Sequence, residues 1–200
     1  EYPVEIPLSG KFNVYNTLAA MAALLAENVP LDHVLEHIHS APQVAGRFER
    51  VEEGQPFTVI VDYAHTPDGL ENLLTTARGI TKNKLITVFG CGGDRDRTKR
   101  PIMGRIAGKY SDFSVITSDN PRTEEPEAII AEVEKGIREV STNYMVEPSR
   151  REAIAEALAL AKAGDVVVIA GKGHENYQLV KGQVLSFDDR QVVREILTGK

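Results

Sequence analysis

One cysteine, Cys91, in 200 residues excludes an internal disulfide framework and suits a reducing cytosol. No apolar run reaches the roughly 18 to 20 residues that a membrane-spanning helix needs. The N-terminus also lacks a basic stretch followed by an apolar one, the pattern that directs secretion. The expectation is a cytoplasmic protein with no membrane partner. A basic block is missing as well: 23 Lys and Arg stand against 29 Asp and Glu for a net charge of -6, with the two signs interleaved. That leaves no electrostatic footprint for nucleic acid. The phosphate-loop pattern G-x-x-x-x-G-K-[ST] is absent too, because "GKGHE" and "GCGGDRD" both lack its spacing.

What is present reads as globular. With 42% hydrophobic and 26% charged residues, the chain can bury one good core and part of a second. The chain opens at Glu1 rather than methionine and runs at once into patterned sequence, so we expect a piece of something longer. After "IPLSGKF", Val14, Leu18, Met21 and Leu25 recur at helical spacing and Pro30 ends that helix. A second short helix carries Leu31, Val34, Leu35 and Ile38 on one face. Two helices of this size cannot enclose a core, and "RFERV" after "APQVAG" signals a change of architecture, which places a boundary near residue 45.

Beyond it, apolar strand-like runs alternate with amphipathic helices. "TVIVD" precedes a helix through Leu70, Leu73, Leu74 and Ala77, and "LITVF" precedes a helix opened by Pro101. "FSVIT" leads to a helix beginning near Thr123, and "NYMVE" to one with a capping-box pattern at Ser149 and Glu152. "DVVVIA" follows, then a hairpin turning at Lys181 and Gly182, then a last helix. The expected fold is a doubly wound, mostly parallel, Rossmann-like α/β sheet with a C-terminal hairpin.

In such sheets ligands bind beyond the carboxyl ends of the strands, where loops meet helix N-termini. Four polar clusters fall on that edge: "DYAHTPD", "GCGGDRDRTKR", "SDNPR" and "GKGHE". The opposite connections have ordinary turn composition. Two other readings lose ground. A dinucleotide fingerprint starting at Gly90 would put Arg95 where a third small residue belongs. His33, His37 and His39 include an i, i+4 pair, but no cysteine or acid completes a clear ligand set, and a solvated helix face is expected. Glycines 92 and 93 read equally well as a tight turn, and Cys91 as packing.

The charges suit a small amino acid with two ammonium groups and two carboxylates. Arg95, Asn120 and Arg122 can meet carboxylates, while Glu175 and the carbonyl of Gly171 can take an ammonium group. The competing reading is a surface ion-pair lattice.

Together "GKFNVYNTLAAMAA", "GRFE", "DYAHTPD", "GCGGDRD", "KRP", "DNPR" and "GKGHE" resemble, in order and approximate spacing, the ATP-dependent Mur ligases over nearly the whole chain. "DNPR" resembles the form in members that add meso-diaminopimelate, whereas lysine-adding relatives tend to carry another residue in place of the arginine. The resemblance implies that Asn120 and Arg122 bind the distal carboxylate, with the distal ammonium near Gly171 and Glu175. Arg95 would meet the carboxylate beside the reacting amine, and Asp119 would shape the loop. For ATP it implies Asn13 and Asn16 at the adenine, His65 near the base and Asp62 near the ribose. Arg47 would reach the terminal phosphate as the catalytic arginine. Residues 1–45 would be the remnant of a central ATP-binding domain and 46–200 the amino-acid-binding domain.

The implied reaction has ATP, with Mg2+, phosphorylate the free carboxylate of UDP-N-acetylmuramoyl-L-alanyl-D-glutamate. The amine of diaminopimelate then attacks the acyl phosphate, chiefly through positioning and charge neutralisation. The magnesium ligands belong, on this resemblance, to a preceding domain, so the chain alone is expected to be inactive. A monomer is the default expectation. A lysine-adding or folylpolyglutamate-type sister ligase, or a non-catalytic Rossmann-like binding module, stays open.

Overall fold

The computed structural model describes residues 2–8 and 10–199 and divides into two units, Glu1–Val44 and Ala45–Lys200. The first holds α1 (Lys11–Ala26) and α2 (Leu31–Ile38). α1 forms as its helical spacing predicts, but only part of its apolar stripe is covered. Asn13, Thr17 and Met21 are buried, while Val14, Leu18 and Leu25 are exposed. The physical reason lies in scale: two short helices bury little, so an apolar stripe stays uncovered within the unit. Pro30 also acts differently from expectation. α1 already stops at Ala26, Asn28 takes the left-handed conformation at φ 61, and Pro30 caps the start of α2.

The second unit is a six-stranded sheet in the order β1-β2-β6-β3-β4-β5. Its strands are β1 (Glu49–Val51), β2 (Thr58–Asp62), β3 (Leu85–Phe89), β4 (Phe113–Ile116), β5 (Tyr144–Val146) and β6 (Val166–Ala170). All pairings are parallel except β1 with β2. The helices are α3 (Pro67–Ile80), α4 (Lys99–Tyr110), α5 (Pro126–Arg138), α6 (Arg150–Leu160) and α7 (Asp189–Thr198). Along β2 the side chains alternate: Ile60 joins a core with Leu70, Leu74, Met103 and Val133, and Val59 and Val61 join a second with Ile154, Leu158 and Val193. That two-residue period is why near-continuous apolar strands read as covered on both faces. Among the described residues no helix is long and apolar enough to cross a membrane.

Local chemistry sets the boundaries. Thr66 caps α3 by accepting from the Gly69 amide at 3.2 Å. Ser149 accepts from the Glu152 amide at 3.5 Å, but the Ser149 amide donates to Glu147 instead, so half of the anticipated capping box forms. α5 starts at Pro126 rather than near Thr123, because the Thr123 amide and hydroxyl both donate to Asp94. Pro126 then supplies the preset φ of a first helical residue. α4 begins at Lys99, with Pro101 inside its first turn. β7 (Tyr177–Val180) and β8 (Gln183–Ser186) form a separate antiparallel hairpin. Lys181 and Gly182, at φ 48 and 79, supply the two left-handed residues of a tight two-residue turn.

Candidate functional site

The carboxyl ends of β2, β3, β4 and β6 open into one cavity of about 520 Å³. All four polar loops contribute to it. Its charged lining is balanced, with Arg95, Lys99 and Arg122 against Asp96, Asp119 and Glu175, and His65, Asn120 and Gly171 also face it. A cavity walled by both signs suits a ligand that carries both, since each ligand charge can find a partner as it leaves water. Arg95, Asp119, Asn120, Arg122, Gly171 and Glu175, chosen from the sequence, thus come together.

Their working atoms differ in how free they are. The Asn120 amide is nearly saturated: its oxygen accepts from the Leu179 amide at 2.9 Å and from Lys172 Nζ at 3.1 Å. Its nitrogen donates to Glu175 Oε2 at 2.9 Å. The Leu179 donor fixes which end of the amide is oxygen. Asn120 therefore serves mainly as a brace, with one N–H left for a ligand. Lys172 is fully buried and also lies 3.2 Å from Glu175 and 3.7 Å from Asp119. Asp119 Oδ1 is buried without a hydrogen-bond partner. Arg122 sits at φ 54 and spends Nη1 on the Gly93 carbonyl at 2.8 Å. Arg95 is exposed, and its Nη1 donates to the carbonyl of Asp94 at 3.0 Å.

Gly93 lies in a bend and also in a close backbone contact. A Cβ there would lie 1.9 Å from the Pro121 carbonyl oxygen, so glycine is required for close approach of two backbones, and Asp94 at φ 53 makes the bend. The two loops are cross-braced further down. The Asp94 amide donates to Glu124 at 2.7 Å, and Arg100, with no exposed side-chain surface, forks onto Glu124 and reaches Glu132. The Arg100 guanidinium, and after it the Asp94 amide, hold the Glu124 carboxyl down at about 2, against 4.5 for an ordinary glutamate. Its contribution to stability is therefore complete above pH 4.5 and is lost as pH falls through about 2. A carbon-detected NMR titration of Glu124 should give a midpoint near that value, and Arg100→Met should raise it toward 4.5; an unchanged midpoint would contradict the fork.

Of the residues expected at a nucleotide, Asp62 is committed elsewhere. Its two carboxylate oxygens accept from the Phe48 and Ala64 amides at 2.7 and 2.8 Å, which makes it a brace for the turn, and burial raises its pKa. The Arg47 guanidinium lies 5.1 Å from the Tyr63 ring centre, and the rings of His65 and His174 also contact Tyr63. His65 Nδ1 is 2.9 Å from the Tyr63 carbonyl, and Lys99 Nζ donates to the His65 carbonyl. Asn13 and Asn16 lie on α1 in the first unit, 3.5 Å apart.

Two further expectations resolve simply. The sequence reading found no acid beside His33 and His37, but Glu36 stands with them, ligand atoms within 4.8 Å and all three exposed. Among the described residues this is the one such cluster. Its imidazoles suit Mg2+ poorly, since that ion takes oxygen ligands. Cys91 packs against Met103, and burial pushes its thiol up to about 12. The native protein at pH 8 should therefore resist thiol reagents and react once unfolded; rapid native labelling would contradict this.

Sequence reasoning missed Lys172, Arg100 and Gln178, all of which hold the cavity's walls. Lys172 sits inside the quoted "GKGHE", so its motif was visible even though its partners were not.

The family model described as "Mur ligase, glutamate ligase domain" matches residues 46–173. The chain is 58% identical over 198 residues to the UDP-N-acetylmuramoyl-L-alanyl-D-glutamate--2,6-diaminopimelate ligase of Syntrophomonas wolfei, covering 98% of this chain and 40% of that protein. It is 52% identical to the protein of the same name from Solibacter usitatus, covering 99% and 40%. A solved structure of a UDP-N-acetylmuramoyl-L-alanyl-D-glutamate--2,6-diaminopimelate ligase superposes with a TM-score of 0.77 at 42% identity, over 99% of this chain and 40% of that one. A Mycobacterium tuberculosis folylpolyglutamate synthase complexed with ADP shares the fold, at TM-score 0.67 and 24% identity over 84% and 39%. The chain thus spans about 40% of the length of the curated relatives it matches. On these matches the chain belongs to the Mur ligase family.

Proposed function

We propose that this chain supplies the amino-acid-binding part of an ATP-dependent ligase that joins meso-diaminopimelate to UDP-N-acetylmuramoyl-L-alanyl-D-glutamate in peptidoglycan synthesis. The observation that carries the reading is the charge-balanced cavity that holds Arg95, Arg122 and Glu175 together. Diaminopimelate has two carboxylates and two ammonium groups, so it can pair with both signs of wall. The names of the relatives at 52 to 58% identity support the same substrate.

In this reading the free N–H groups of Arg122 take the distal carboxylate, helped by the remaining N–H of Asn120. Glu175 Oε1 and the Gly171 carbonyl take the distal ammonium, while Arg95 swings onto the carboxylate next to the reacting amine. The chain then does its work by orientation: it fixes both ends of the amino acid so that one neutral amine can approach an activated carboxyl carbon. ATP provides that activation by phosphorylating the D-glutamyl carboxylate. Arg47, 5.1 Å from the Tyr63 ring centre, would meet a terminal phosphate in this reading, with His65 near the base. Asn13 and Asn16 are kept as adenine contacts. Asp62 would act on a ribose only through the turn it braces. The 200 residues hold no phosphate loop, and the family resemblance assigns the magnesium ligands to another part of such a ligase. Residues 1–45 and 46–200 correspond, in this proposal, to the end of an ATP-binding domain and to the amino-acid domain.

Calorimetric titration of the chain tests the reading. Heat should be released with meso-diaminopimelate and be much weaker with L-lysine, which lacks the second carboxylate. Equal binding of the two would favour the lysine-adding alternative.

A further inference from the structure

The β7–β8 hairpin stands apart from the main sheet, and neither the fold nor the reaction so far gives it a task. Its bonds supply one. Gln178 Nε2 donates to the Asp119 carbonyl at 2.6 Å and reaches the Ser118 hydroxyl at 3.4 Å. The Leu179 amide donates to Asn120 Oδ1 at 2.9 Å. The Arg122 amide donates to the Leu179 carbonyl at 2.9 Å, and the Lys181 amide to the Arg122 carbonyl at 2.7 Å. One four-residue strand and its turn therefore hold a four-residue segment, Asp119 to Arg122, at both ends.

The consequence falls on Arg122. A non-glycine residue at φ 54 is uncommon and needs its surroundings to hold it there. Both backbone polar groups of Arg122 are bonded to the hairpin, forming an isolated parallel bridge with Val180. That bend lays the guanidinium over the glycine loop, where a Cβ on Gly92 would come within 2.8 Å of Nη1. It thereby becomes part of the cavity wall. The hairpin itself contributes no residue to that wall.

We propose that the hairpin is a specificity clamp and that Gln178 is a positioning residue, acting through Asp119 and Arg122 to select ligands with a second carboxylate. This rests on the reading of the cavity as an amino-acid site. Gln178 is partly exposed and lies outside both cores, so its replacement leaves the fold intact. Gln178→Ala removes the tether to the Asp119 carbonyl; Gln178→Glu keeps the size but faces that carbonyl with a second acceptor.

The test follows the isotope-labelled 200-residue chain by NMR, with meso-diaminopimelate and L-lysine as probes, and adds amide hydrogen exchange without ligand. In both variants the preference for diaminopimelate over lysine should fall by about tenfold, a difference of about 1.4 kcal/mol. Lysine affinity should hold, and exchange at the Arg122 and Lys181 amides should quicken. A purely structural role would weaken both ligands alike, and that outcome overturns the proposal. So does a variant that keeps the wild-type preference or the wild-type exchange rates. A wild-type chain with no preference for diaminopimelate sinks the amino-acid reading and the ligand assignment with it, whereas a wild-type preference retained in the variants sinks the clamp alone.

Discussion

Arg122→Ala should weaken meso-diaminopimelate binding by about 2–3 kcal/mol, roughly 30- to 150-fold, and leave L-lysine binding within about twofold. The selectivity follows from where the side chain stands. In the proposed pose Arg122 would offer the distal carboxylate the forked donors of a guanidinium. Lysine has nothing at that position to lose. Arg122→Lys should recover only part of the affinity, because an ammonium cannot make the two parallel bonds. Calorimetry on the three chains checks both points. A loss shared equally by diaminopimelate and lysine would mean that Arg122 supports the loop and does not read the ligand.

The second large effect is on stability. Arg150, at the start of α6, is fully buried against Asp189 at the start of α7, with bonds of 2.7 and 2.8 Å. The same guanidinium donates to the Ala170 carbonyl at 3.0 Å and to the Ser118 carbonyl at 3.4 Å. It therefore ties two helices to the ends of β4 and β6, directly beneath two of the ligand loops. Arg150→Ala would strand the Asp189 carboxylate in the core, at a cost of about 3–5 kcal/mol in urea unfolding. Removing both partners, as in Arg150→Met with Asp189→Leu, should restore most of that stability, because no unpaired charge remains. If the single variant lost less than about 1 kcal/mol, the pair would be behaving as a solvated one.

How much of this was legible beforehand depends on the range of each interaction. Strands such as "TVIVD" and "VVVIA" announced themselves because both their faces are buried, and the parallel order put their polar loops on one edge. Arg95, Arg122 and Glu175 could be picked out because that edge concentrates ligand chemistry. For α1 the helical period revealed an apolar stripe without saying whether anything covers it, and Val14, Leu18 and Leu25 stay exposed. Lys172 and Gln178 were missed for a different reason: their partners Asn120 and Asp119 lie 52 and 59 residues away, so the motif around Lys172 was visible but these long-range bonds were not. Asp62 and Asn120 show the same limit from the other side. Their side chains looked free for a ligand, and only the folded backbone reveals how fully they are engaged.

The glycines carry a related lesson. Gly93 reads as turn chemistry on paper, yet its role is to let the loop after β3 touch the loop after β4, where its amide donates to the Asn120 carbonyl at 2.9 Å. The same contact places the Gly93 carbonyl under Arg122. A site built from two loops in close contact holds Arg122 at a fixed place in the wall, which is what discrimination between one and two carboxylates demands.

A crystal structure of the chain soaked with meso-diaminopimelate tests the pairing of cavity and ligand most directly. The account predicts one molecule in the cavity, its distal carboxylate on the Arg122 guanidinium and its distal ammonium between the Gly171 carbonyl and Glu175. A ligand seated elsewhere, or one in the cavity with Arg122 turned away to solvent, would contradict it.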